Sequence, residues 1–365
     1  MRLTRTQLPL ISVIIPVKPG RQIIKTLGAL QKIAYPQQLV EVIVCRGFNP
    51  SKQRNEAAKK AKGEILYFLD DDSIVDNKAF KRIVALFSSK ISKIDIPQAR
   101  GFSFFPKGIS KLIIDLFFSG IIYKGGIGAI GGPNVWWGKE NFWEALAGAV
   151  LESFFVHSQM AARYRPIGAI HRANEKELIL CNLAIKRSVF KQAGGFNEVL
   201  YPNEENELLN RIEQTGYQLV YHPGVLVYRH RRVSLPGLLI AFWHYGRGRM
   251  EQIRLEGRWQ SLAMIIPLIF LIYLICLLFY HRGWFWLPLI IYILMALGSS
   301  LGFAVRRKKT YLIICLPVIF LLAHLTYAWG LISGLVTNLE RKKRYLKKKK
   351  TQLILVKKMG KSWQN

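Results

Sequence analysis

Three long apolar runs fill the last third of the chain, Ser261–Tyr280, Gly283–Val305 and Tyr311–Val336, and they argue against a single soluble domain. None holds an acid or a strongly basic side chain, and tyrosines and cysteines apart, His324 is the one ionisable group among them. Each is long enough to span about 30 Å of hydrocarbon. Helices apolar on every side have no face to offer water, which disfavours a buried soluble bundle. Trp284, Trp286 and Trp329 lie near the ends of the runs, where indole rings anchor at a membrane interface.

At 365 residues the chain has room for one further domain besides these segments. Its net charge of +31 is uneven: residues 340–365 hold eleven basic residues and one acid, and so supply +10 of it. Arg341–Lys350 has eight basic residues in ten and reads as a solvated charge run. Nucleic-acid binding is the rival reading of such a tail. The neighbouring apolar runs favour an anionic membrane leaflet instead, and no nucleic-acid partner is expected. Four cysteines show neither metal spacing nor a disulfide framework, which suits a reducing cytoplasm. Leu8–Val17 is apolar too, but Pro9, Pro16 and its strand pattern fit a first strand better than a signal peptide.

Strands are predicted at Ile11–Val17, Val40–Val44 and Glu64–Leu69. Helices are predicted over about Arg21–Ile33 and from an N-cap at Ser51 to Lys62, with Gly63 as a stop. This alternation implies an α/β fold, a parallel sheet with right-handed crossovers. The third strand delivers Asp70, Asp71 and Asp72 to its C-terminal end, the edge where open α/β sheets bind ligands. Hard oxygen ligands at i and i+2 suit Mg²⁺ or Mn²⁺ shared with substrate phosphates. A solvated acidic turn is the plain alternative. Arg54, on the helix entering this region, could meet a diphosphate or simply face water.

A second constellation lies about 130 residues later. Asn203 is the expected N-cap of a helix whose first turn carries Glu204, Glu205 and Glu207. Acids there are favoured by the helix dipole. A carboxylate among carboxylates, partly desolvated, also gains proton affinity and can serve as a general base. Two short strands, Tyr217–His222 and Val225–Arg229, lead to His230-Arg-Arg232, where an imidazole beside arginines could complete a metal shell or meet a phosphate.

Together these elements resemble the family 2 glycosyltransferases, inverting enzymes of the GT-A fold. The matching pieces are Ser12-Val-Ile-Ile-Pro16, Arg54-Asn55, Ala61-Lys-Gly-Glu-Ile-Leu-Tyr-Phe-Leu-Asp-Asp-Asp72, Asn182-Leu-Ala-Ile-Lys-Arg-Ser188 with Gly194-Gly-Phe196, and Glu204-Glu205 with Leu208 and Arg211. They cover roughly residues 9–232. The resemblance implies that Asp70 and Asp72 bind the metal and that Glu205 occupies the place of the catalytic aspartate, with Glu204 the acid before it. It puts Pro16, Arg54, Asn55, Asp71 and His230 around the donor. Two departures stand out: Lys18-Pro-Gly20 replaces an Asn-Glu pair after the first strand, and Cys45-Arg-Gly47 replaces an aspartate after the second.

The segment Leu235–Tyr245, followed by Gly246-Arg-Gly-Arg249, suits an amphipathic helix in the headgroup plane, and Ile109–Tyr123 has a similar character. By analogy with membrane glycosyltransferases, Arg247 and Arg249 are candidates near the donor diphosphate. The expected organisation is a GT-A-like domain over 1–232, an interfacial linker over 233–260, a transmembrane region over 261–336 and a basic tail over 337–365. The implied activity moves a sugar from a nucleotide diphosphate donor to a lipid-linked or polysaccharide acceptor hydroxyl, with the catalytic domain on the cytoplasmic side of a multi-pass inner-membrane protein. A non-catalytic scaffold binding anionic lipid or glycan is the alternative, supported by the two departures and opposed by Asp70, Asp72 and Glu205. Processive polymer synthesis lacks support, since there is no Gln-x-x-Arg-Trp match. Three full crossings would leave the basic tail outside, against the positive-inside rule. A third run broken at Pro317, Gly330 and Gly334 that re-enters would bring it back.

Overall fold

The computed structural model describes residues 8–88, 125–230, 234–257, 264–358 and 361. The expected segment Ile109–Tyr123, Arg231, Arg232 and the end of the linker lie outside them. The strands are β1 (Ile11–Val17), β2 (Val40–Gly47), β3 (Ile65–Phe68), β4 (Ile74–Val75), β5 (Ile127–Gly131), β6 (Asn134–Trp136), β7 (His171–Ala173), β8 (Leu183–Lys186), β9 (Gln218–Tyr221), β10 (Val227–Arg229) and β11 (Thr351–Lys357). The first helices are α1 (Ile24–Gln31), α2 (Pro50–Lys60) and α3 (Ala79–Ser88).

Every residue of β1 is buried, which suits its run of apolar residues interrupted only by Ser12: helices cover both sheet faces. β1 pairs in parallel with β2 from Ile11↔Val40 and with β3 from Ile11↔Ile65. The large sheet runs β11-β2-β1-β3-β8-β5-β9-β7, and a small sheet runs β4-β10-β6. The parallel arrangement expected throughout holds for β2-β1-β3 and again for β5-β9, but β8 is antiparallel to both β3 and β5, as is β7 to β9. The sheet is therefore mixed. β8 follows β7 with only a short 3-10 turn at Leu180–Asn182 between them, and a strand reached without a crossover helix is free to pair antiparallel.

Helix α2 is capped by Asn49, not Ser51: the Asn49 Oδ1 accepts from the Lys52 amide at 3.2 Å, while Ser51 Oγ donates to the Leu200 carbonyl at 3.0 Å. Gly63 follows the helix for another reason than stopping it. A Cβ there would lie 2.5 Å from the Ser12 amide nitrogen, so glycine lets the chain press against β1.

Helices α4 (Phe142–Glu152), α5 (Phe154–His157), α6 (Arg187–Gln192) and α7 (Glu204–Gln214) complete the α/β domain. Asn203 makes no capping bond to α7. Its backbone is left-handed at φ 81°, and its side chain accepts from Asn206 Nδ2 instead.

The remaining helices are α8 (Leu235–Glu256), α9 (Ile266–Leu277), α10 (Leu287–Arg307), α11 (Leu312–Val336) and α12 (Leu339–Lys347). Among the described residues, two helical segments, Gly283–Arg307 and Leu312–Val336, are long and apolar enough to cross a membrane. The first of the three expected spans is not among them. The 12 residues of α9 reach only about 18 Å. The third run is one continuous helix through Pro317, without the break expected at Pro317, Gly330 and Gly334. Its glycines serve packing: a Cβ on Gly330 would collide with the Trp243 carbonyl, one on Gly334 with that of Arg247, and one on Gly246 with that of Tyr327. Thus α8 and α11 pack backbone against backbone, as small residues allow. The α8 face expected to lie among headgroups buries Arg249, Glu251 and Gln252 against protein.

Both ends of α11 return to the α/β domain. Before it, Arg306 and Arg307 pair with Glu152 at 3.0 and 2.8 Å, and Arg307 and Lys309 approach Glu140. After it, Lys342 pairs with Glu251, and β11 joins the free edge of β2. The basic run expected to be solvated forms α12, which buries none of its residues, and the tail continues into β11.

Replacing Gly330 by leucine forces a side chain into the α8 backbone. Overpacking of this kind costs about 1–3 kcal/mol or more. The expected result is a clear drop in thermal midpoint in detergent, with Gly298→Leu, which meets nothing within 4 Å, as the unaffected control.

Candidate active site

The chain leaves β3 at Leu69, whose amide donates to the Ile14 carbonyl at 3.1 Å, and the three aspartates follow beside the end of β1. Two arginines meet them. Arg54, from α2 and 4 % exposed, donates to Asp70 Oδ1 at 2.9 Å and to Glu204 Oε1 at 3.0 Å. Arg229 closes β10, which the small sheet holds by Val227↔Val75 and Val227↔Asn134. Its guanidinium grips Asp72 with two nitrogens at 2.7 and 2.9 Å and Asp70 Oδ2 with a third contact at 3.0 Å. Asp71 turns toward Arg21 at 3.5 Å. Burial raises its carboxyl above the usual range, with Arg21 opposing.

One guanidinium therefore bridges the aspartates to the acids at the start of α7. Glu204 is 2 % exposed. Burial first, then the neighbouring Glu205 charge, pushes its carboxyl up to about 7, against the pull of Arg54. Glu205 instead accepts from Arg163 Nη1 at 3.2 Å. Arg163 is buried and also donates to the carbonyls of Glu175 at 2.6 Å and Lys176 at 2.7 Å and to Asn206, so it fixes the Glu205 carboxylate.

The other candidates fall elsewhere. Asn55 holds the turn at Phe196 by two 2.8 Å bonds and reaches Glu198, which is a structural task. Pro16 lies inside β1 opposite Cys45. His230 is exposed and edge-on to Trp136, while its neighbour Arg229 makes the contacts to the aspartates. Arg249 is buried against Glu175 at 3.4 Å, and Arg247 lies 3.6 Å from Glu251 over the Trp243 ring. Neither of these two arginines pairs with Asp70 or Asp72. Arg229 and Arg163 escaped the sequence reading, since a lone arginine ending a strand or a short helical turn has no spacing signal.

Among the described residues no group of three or more His, Cys, Asp or Glu could hold a metal. Asp70 and Asp72 nonetheless direct three oxygens at one cationic centre, the Arg229 guanidinium. Two carboxylates are the complement that Mg²⁺ or Mn²⁺ takes from a protein when phosphates and water supply the rest. The pair fits such an ion once Arg229 gives way.

Residues 22–119 match the model of the glycosyl transferase family 2, a span that includes α2, β3 and the three aspartates. Over these residues the chain is similar to the family 2 glycosyltransferases. Among solved structures, the mannosyltransferase PcManGT from Pyrobaculum calidifontis, in complex with GDP-Man and Mn²⁺, is similar at 13 % identity and a TM-score of 0.52, over 91 % of this chain and 88 % of that one. S. aureus TarS 1-349 in complex with UDP matches at 13 % identity and a TM-score of 0.40, over 92 % and 91 %. The first likeness shows the GT-A fold; the second is too distant to support an argument. Sequence comparison with curated proteins finds no match.

The proton affinity of Glu204 sets a pH dependence for the fold. Its carboxyl ordinarily titrates near 4.5 and here near about 7. Between those values the folded protein keeps a proton that the unfolded chain releases, so stability should fall as pH rises through that window. Glu204→Gln keeps a neutral partner for Arg54 and should flatten the slope, measured as thermal midpoint from pH 4.5 to 8.

Proposed function

We propose that this glycosyltransferase is membrane-anchored, metal-dependent and inverting, and that it transfers a sugar from a nucleotide diphosphate donor to a lipid-linked or polysaccharide acceptor. One observation carries the reading: Arg54 joins Asp70 to Glu204, so two acidic constellations far apart in sequence share one site. Asp70 and Asp72 would hold Mg²⁺ or Mn²⁺, which when bound supplies Lewis-acid assistance to the leaving diphosphate. Arg54 offers the same diphosphate fixed positive charge, and Arg229, released from the aspartates by the ion, a movable one. Glu205, the more accessible of the two glutamates at 9 % exposure, takes the acceptor proton as the acceptor oxygen bonds to the anomeric carbon. The bond from that carbon to the diphosphate breaks on the opposite face, and the nucleoside diphosphate leaves. Glu204 is the supporting acid, acting through Arg54. The Mn²⁺ and GDP-Man in the Pyrobaculum neighbour are consistent with this donor class and metal.

The lipid-linked acceptor has support in a cavity of about 100 Å³ where the α/β domain meets the apolar helices. Asn203 and Lys176 line one side and Phe242, Tyr245, Met264 and Tyr327 the other, so it opens beside the start of α7. Ile290, Leu294, Leu297 and Leu301 leave an apolar face of α10 uncovered by protein, which supports membrane insertion. We assign the catalytic domain and the tail, joined through β11, to the same cytoplasmic side. The segments are the catalytic domain 1–232, the linker 233–260, the apolar region 261–336 and the tail 337–365.

The test is release of nucleoside diphosphate from a panel of nucleotide sugars by purified protein, with Mn²⁺, Mg²⁺ or EDTA. At least one donor should turn over, and EDTA should abolish it. A panel without turnover under any condition would favour the non-catalytic scaffold.

A further inference from the structure

We propose that the C-terminal strand β11 builds one wall of the donor's nucleoside pocket, making Lys350 and Gln352 donor-binding residues. The proposal rests on the glycosyltransferase reading above. β11 runs antiparallel to β2 with Thr351↔Gly47, Leu353↔Cys45 and Leu355↔Ile43. That direction brings the start of β11 to the C-terminal edge of β1 and β2, the ligand-binding edge of such sheets. Both ends are fastened: Lys52 Nζ donates to the Lys349 carbonyl at 2.9 Å and Thr351 Oγ1 to Glu56, while Lys357 Nζ donates to the carbonyls of Gln37 and Val40 at 2.6 and 2.9 Å. The fit at the edge is close, since a Cβ on Gly47 would lie 3.1 Å from the Lys350 carbonyl oxygen.

A cavity of about 690 Å³ opens at this edge, between Arg21, Arg46 and Phe48 on one side and Lys350, Thr351 and Gln352 on the other. Arg21 reaches Asp71 at 3.5 Å, so the cavity adjoins the aspartates. It lies where the chain departs from its family, at Lys18–Gly20 and Cys45–Gly47, and where an acid for base or ribose is missing. The tail supplies what those loops lack. Phe48 is 58 % exposed; Lys349 Nζ lies 5.4 Å from its ring centroid on one face, which leaves the other face for a base. The Gln352 amide can both donate and accept at a base edge or ribose hydroxyl. Lys350, Arg46 and Arg21 give positive charge for phosphates. This chemistry recognises a nucleoside diphosphate, with base choice set partly by the tail.

Calorimetric titration of the full-length protein with ADP, CDP, GDP, UDP and inorganic pyrophosphate tests this. Wild type should bind at least one nucleoside diphosphate. Gln352→Ala should weaken that nucleotide about tenfold and leave pyrophosphate unchanged, Lys350→Glu should weaken both, and Lys358→Glu at the far end should change neither. Backbone pairing keeps the strand in both tail variants, which unchanged amide exchange at Leu353–Leu355 without nucleotide would verify. In wild type, nucleotide should slow that exchange. Undiminished nucleotide affinity in Gln352→Ala and Lys350→Glu overturns the tail's role and leaves the glycosyltransferase reading standing. Wild type that binds none of the four nucleotides overturns both.

Discussion

Glu205→Gln is expected to lower turnover by about three orders of magnitude while donor affinity changes less than threefold. The substitution keeps the size of the side chain and its bond to Arg163 but removes the proton acceptor, and general-base catalysis contributes roughly 10²–10⁴-fold. A loss of turnover without a loss of donor binding marks an interaction made in the transition state. Glu204→Gln should be milder, since its effect travels through Arg54 to Asp70. Rates under single-turnover conditions and donor affinity by calorimetry separate the two. If Glu204→Gln proves the inactive variant and Glu205→Gln does not, the roles are reversed.

Asp72→Ala is expected to weaken metal-dependent nucleotide binding about a hundredfold and to abolish its sensitivity to EDTA. The carboxylate is one of only two offered to the ion, so its loss leaves a single protein ligand. Stability should change little, because Asp72 is exposed in part and its pair with Arg229 faces solvent. Arg229→Ala should act oppositely on the metal: it frees three carboxylate contacts, so Mn²⁺ affinity without nucleotide should rise. Titration of Mn²⁺ into each variant measures both effects. Equal metal affinity in wild type and Asp72→Ala would remove these aspartates from the metal site.

The parts of this site visible in sequence are those with local signatures. β1 and β3 are dense apolar runs, and the aspartates end one of them, so periodicity and position suffice. Glu204 and Glu205 mark a helix start. Arg229 and Arg163 are invisible in that way, because their partners lie more than 150 and about 40 residues distant and depend on the packing of β10 and α7. The antiparallel entry of β8 follows from loops rather than from any pattern within the strand. β11 is a different case. Leu353-Ile-Leu-Val356 is a strand by composition, yet a dense lysine run precedes it and its partner β2 lies some 300 residues earlier, so no local rule pairs them. Gly330 and Gly334 read as helix breaks when only propensity is weighed. Against the α8 backbone they are what lets two helices touch.

Transfer with inversion from a nucleotide sugar at the Asp70–Glu205 site is read from the anomeric proton of the product. When the reaction is followed by NMR with the donor that turns over, the product should have the opposite anomeric configuration and be formed by wild type and not by Glu205→Gln. A product that retains the donor's configuration would contradict it.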